Sequence, residues 1–118
     1  MKNFTLNELI EEYKRNTLIC SKVDYADKKS VQANNKAVSK MYQIVNLIKI
    51  GFGEEGVIKF KKLLDITENR TDLWVAVQML EKFNLDKESE TKALKLIREE
   101  AKNSMGMELW LKNYLASL

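Results

Sequence analysis

No proline occurs anywhere in these 118 residues, and only four glycines do. Proline removes a backbone donor and clashes with the preceding helical turn, while glycine loosens a helix, so a chain this poor in both leaves its apolar periodicity free to run in long helices. No alternating strand pattern of useful length competes with that periodicity. Short polar connectors then make consecutive helices antiparallel neighbours. The expectation is an all-α fold of stacked antiparallel helical hairpins, about six helices in one domain over residues 1–118. At 45% hydrophobic and 31% charged residues, the chain has enough apolar surface to form a core and stands apart from disordered compositions.

The first helix is predicted over residues 5–22. Thr5 and Glu8 have the reciprocal spacing of a capping box, and Phe4 and Leu9 the spacing of a hydrophobic staple. Leu6, Leu9, Ile10, Tyr13 and Thr17 recur at helical steps on one face. Asp24 to Asp27 reads as a turn. A second helix from about Ser30 carries the stripe Val31, Asn34, Val38, Met41, Val45 and Ile48, and Gly51-Phe52-Gly53 is its expected stop. A short third helix follows to Leu64, packing through Val57, Ile58, Phe60 and Leu64. The fourth, about Thr71 to Phe83, is apolar around most of its circumference, which predicts burial on several sides and the central place in the fold. Two amphipathic helices close the chain, about Lys87 to Asn103 and about Gly106 to Ser117.

No apolar stretch approaches the roughly 20 residues of a bilayer crossing. Met1-Lys2-Asn3-Phe4 leads into Glu8, Glu11 and Glu12 without an apolar signal core, so the expected compartment is the cytoplasm. Cys20 has no partner in the chain and falls on an apolar helix side, the reading for a buried thiol. The net charge of +3 is unevenly spread: residues 31–62 hold six basic against two acidic side chains, residues 63–118 eight against ten. In the basic stretch Lys36, Lys40, Lys49 and Lys59 stand singly, and only Lys61 and Lys62 adjoin. That spacing reads as a solvated face, with phosphate contact as the alternative.

The segment Leu63-Leu64-Asp65, with Thr71-Asp72-Leu73-Trp74-Val75-Ala76-Val77-Gln78-Met79-Leu80, resembles the helix-turn-helix core of HEAT-like repeats. It looks most like a bacterial family of small HEAT-like domains of uncharacterised function. There a leucine pair closes one helix, and after a polar turn the next opens with valine and arginine before an apolar-tryptophan-alanine-alanine run. This chain keeps the run at Leu73 to Ala76 and departs at Thr71 and Asp72. Ala33-Asn34 and Tyr114 extend the resemblance over residues 25–118. It implies a short α-solenoid, a shape that presents a binding surface, and no chemistry.

Histidine is absent, which removes the commonest general acid/base and transition-metal ligand. The glutamate pairs Glu11-Glu12, Glu54-Glu55 and Glu99-Glu100 diverge by about 100° on a helix and so do not form catalytic dyads. Gly51-Phe52-Gly53 and Gly56 lack the strand and lysine of a phosphate loop. The expectation is a protein that is not an enzyme, with no cofactor and no metal. Trp74 reads as core. Trp110, on the last helix with no repeat beyond it, reads equally as core or interface, since tryptophan is enriched in both. By family-level analogy, a small helical-repeat protein of this kind is expected to be an immunity protein covering the active surface of a cognate toxin. For a nuclease toxin, its basic groove would be met by acidic candidates Glu68, Asp72, Glu99 and Glu100, with Trp110 and Tyr114 as aromatic contacts. The alternatives are a nucleic-acid binder using the lysines of the middle third, or a general adaptor or assembly protein; oligomeric state stays open.

Overall fold

The computed structural model describes residues 4–118. The reading of Met1-Lys2-Asn3 as the start of a leaderless terminus lies outside the described residues. Five α-helices make up the fold: α1 (Leu6–Ser21), α2 (Lys28–Lys61), α3 (Thr71–Lys82), α4 (Lys87–Ala101) and α5 (Met105–Ala116). No strand is present among the described residues.

Every α-helix but α3 starts where an N-cap side chain takes up free backbone donors. At α1 the capping box forms completely: Glu8 N donates to Thr5 Oγ1 at 3.1 Å, and Thr5 N donates to Glu8 Oε1 at 2.9 Å. Asp27, Asp86 and Ser104 do the same single-sidedly for α2, α4 and α5. Leu9 of the expected staple is buried, whereas Phe4 remains exposed. The inward face of α1 is Leu6, Leu9, Tyr13, Asn16, Thr17 and Cys20, so the predicted stripe holds apart from the half-buried Ile10, and the thiol is buried as expected.

At the stop expected at Gly51-Phe52-Gly53 the backbone does leave the helix, and two helical arms meet there at a kink; with the arms counted as one element, five helices stand among the described residues. Gly51 and Phe52 stay helical. Gly53 alone leaves the helical region, at φ 54° and ψ −135°, a conformation that an L side chain rarely adopts. The helical ladder resumes immediately, and Gly56 then lies hard against the first arm. A Cβ there would fall 2.7 Å from Ile48 Cγ2 and 2.9 Å from the Ile48 carbonyl oxygen. The close approach of the two arms depends on Gly56 having no side chain.

After α2 the chain tightens into two short 3-10 turns, Lys62–Asp65 and Glu68–Arg70, and enters α3. α3 is the centre, as its all-round apolarity predicts: Thr71, Asp72 and every residue from Val75 to Leu80 are buried. It packs on α1 and α2 to one side and on α4 to the other, and α5 lies against α4. The core runs through Tyr13, Met41, Ile44, Val45, Ile48, Phe60, Val75, Met79 and Ile97. Phe60 ties it together, meeting Tyr13 edge-on at 5.0 Å and Phe83 edge-on at 5.8 Å. Trp74, read from sequence as core, is only partly buried and packs at the margin. α5 contributes no fully buried residue; Met107, Trp110, Leu111 and Tyr114 lean on the core while Met105 and Leu109 face outward. No helix among the described residues is long and apolar enough to cross a membrane.

Candidate functional site

The six residues singled out in the sequence do not form one patch. Asp72 is buried, its side chain accepting from Leu73 N at 2.8 Å and paired with Arg70 Nε at 3.2 Å. Arg70 Nη1 reaches on to both carboxylate oxygens of Glu100, at 3.1 and 3.2 Å. Asp72 and Glu100 thus come together, but on a guanidinium that satisfies them, and they offer no free acidic surface. A cation from the preceding connector takes up both charges, Asp72 in the interior and Glu100 at its edge. Glu99 is exposed beside Lys102 at 3.5 Å. Glu68 is exposed on the second 3-10 turn, lining a surface groove with Glu11, Lys14 and Arg15.

Arg70 and Asn69 before it are both left-handed, at φ 54° and 56°. Two such non-glycine residues in succession are uncommon and need the surrounding contacts to hold them. The fixings are local: Arg70 N donates to the Thr67 carbonyl, Asp72 N to the Ile66 carbonyl, and Thr71 Oγ1 bonds both the Glu68 carbonyl and Thr17 Oγ1 at 2.9 Å. Thr71 and Asp72 are the buried anchors of this connector.

Three of the six basic residues of the middle third are engaged. Lys40 pairs with Glu12 at 3.5 Å, Lys61 with Asp86 at 2.9 Å, and Lys59 donates to Asn7 Oδ1. The Lys61 and Ser89 contacts hold the exposed Asp86 carboxyl far below its ordinary range, Ser89 contributing most.

Trp110 and Tyr114 do come together. One helical turn apart on α5, their rings stack in parallel, 7° from coplanar with centroids 5.1 Å apart. They line an open groove of about 590 Å³ between the end of α3 and α5, with Leu80, Glu81, Lys82, Asn113 and Ser117. Glu81 sits at the ring edge: Trp110 Nε1 donates weakly to Oε2 at 3.5 Å, and Tyr42 Oη donates to Oε1 at 2.5 Å. Partial burial, then the bond to Glu81, pushes the Tyr42 phenol well above its ordinary value, so it stays a donor. Tyr114 is raised mainly by burial and secondly by the negative charge of Glu90. Lys82 lies over the Tyr42 ring at 5.6 Å. The sequence reading missed Glu81, Glu90 and Tyr42, since Tyr42 and Glu81 stand 39 positions apart and only the α2–α3 packing brings them together.

Among the described residues no group of three or more Cys, Asp or Glu side chains is arranged to hold a metal ion. The groove offers an aromatic stack, a carboxylate held by Tyr42, and amide and hydroxyl groups. No family model, curated protein or solved structure matches this chain.

Proposed function

We propose that the protein is a non-catalytic protein-binding module whose docking surface is the α3–α5 groove, and that it acts in the cytoplasm as an immunity protein covering the active surface of a cognate toxin. The observation that carries the reading is the parallel Trp110–Tyr114 stack lining an open groove. Tryptophan and tyrosine dominate binding hot spots because they bury a large rigid area and keep a polar edge for partner hydrogen bonds. In this reading the two arms of α2 count as separate helices of a short HEAT-like stack, with α5 as its uncapped end.

The test is capture of the partner from the native host by the full chain, then titration of the purified partner against wild type, Trp110→Ala and Tyr114→Ala. Loss of about 2 kcal/mol or more for either variant, with far-UV circular dichroism unchanged, supports the groove. Co-expression of a toxic partner should restore growth with wild type and fail with Trp110→Ala. Recovery of no protein partner, together with micromolar binding of duplex or single-stranded nucleic acid at physiological salt, overturns the reading in favour of a nucleic-acid binder.

A further inference from the structure

The α3–α5 groove has a chemistry beyond its apolar surface. Its lining includes the stacked Trp110–Tyr114 pair, and its rim carries a carboxylate held by Tyr42. Glu81 is exposed, held on one oxygen by Tyr42 and touched on the other by the Trp110 indole N–H. A carboxylate accepts about four hydrogen bonds, so roughly two remain for a ligand. Glu90 adds a second negative charge felt at Tyr114. Lys82, the cation among the lining residues, is drawn over the Tyr42 ring.

Taking the groove as the docking site proposed above, we infer that it receives a basic side chain of the partner, an arginine, laid against an outer ring face of the Trp110–Tyr114 stack with its charge met by Glu81. A guanidinium is planar, stacks on aromatic faces and presents a fork of donors to a carboxylate, which uses both features of the groove at once. An ammonium is a point charge and uses the carboxylate alone. An acidic side chain would face Glu81, and an apolar one would strip water from Glu81 without replacing its hydrogen bonds.

The experiment uses the full chain labelled with ¹⁵N and three acetylated, amidated tripeptides, Gly-X-Gly, with X arginine, lysine or citrulline. Citrulline keeps the planar shape and loses the charge. The expected result is a saturable shift of the Trp110 indole N–H, assigned by its disappearance in Trp110→Phe, on adding the arginine peptide. Citrulline should bind at least about tenfold more weakly and lysine in between. Glu81→Gln, at an exposed position, should weaken arginine binding about tenfold while circular dichroism stays unchanged. No shift at Trp110, an equal response to citrulline, or wild-type affinity in Glu81→Gln overturns the inference. Arginine binding without any protein partner in the host would remove the toxin-neutralising reading and leave this site standing. A partner that binds Glu81→Gln as tightly as wild type would do the reverse.

Discussion

Tyr13 on α1 donates its hydroxyl to Oε1 of Gln78 on α3 at 2.8 Å, with both side chains completely buried. The amide nitrogen of Gln78 has no partner among the described residues. A buried polar pair of this kind stabilises mainly by keeping each member satisfied, so removing one member leaves the other unpaired. Tyr13→Phe should lower stability by about 1–3 kcal/mol in urea melts. Tyr13→Phe combined with Gln78→Met should recover most of that loss, because neither polar group then remains. A double variant less stable than the single one would refute the pairing.

Stability should fall in alkali. Burial raises the Tyr13 phenol well above its ordinary value, and burial together with Glu81 raises Tyr42. A raised folded value means the neutral form is favoured by the fold. The stability so gained is whole below the unfolded value of about 10 and is lost as pH climbs through the window above it. Melting temperature against pH should bend downward above about pH 10, less steeply in Tyr13→Phe. An equal bend in that variant would assign the alkaline loss elsewhere.

The most damaging aromatic truncation should be Phe60→Ala. Phe60 is fully buried between Tyr13 and Phe83, and removing such a ring costs about 3–5 kcal/mol. Trp74→Ala, at a half-buried position, should cost less, contrary to the ranking its apolar run suggests. Denaturation midpoints of the two variants decide the order.

Charge reversal separates a structural carboxylate from a surface one. Asp72→Lys would bury a cation beside Arg70 and should abolish cooperative folding. Glu100→Lys should lower the melting temperature by loosening Arg70. Glu68→Lys and Glu99→Lys, at exposed sites, should shift stability by no more than about 0.5 kcal/mol. A wild-type melt for Asp72→Lys would return that residue to the candidate surface.

Gly56→Ala should destabilise by about 1–3 kcal/mol through overpacking against Ile48, while Gly51→Ala, with open space around it, should be tolerated. Similar melts for the two would show that the α2 arms separate easily.

Local signals were legible in the sequence. Thr5 and Glu8 announce the start of α1, and the apolar run after Asp72 marks the central helix, because capping and periodicity act within a few residues. Gly51-Phe52-Gly53 marks where the chain leaves the helix; how closely the two arms then approach depends on Gly56 against Ile48, which no local pattern shows. Of the candidate site, the Trp110–Tyr114 pair was visible as a one-turn spacing. The fate of Asp72 was not, since it turns on Arg70 bridging to Glu100 thirty positions away.

α5 has no fully buried residue, whereas its neighbours α3 and α4 do. Helices held by partial burial open before the global transition, so hydrogen exchange along α5 should be the fastest of the five. Glu81 stays with α3 in such an opened molecule while both stacked rings depart with α5. Apparent affinity at the groove is then the intrinsic affinity multiplied by the fraction of molecules with α5 docked. Substitutions on α4 that never touch a partner would tune binding through that fraction, and an occupied groove would in return slow exchange along the whole of α5.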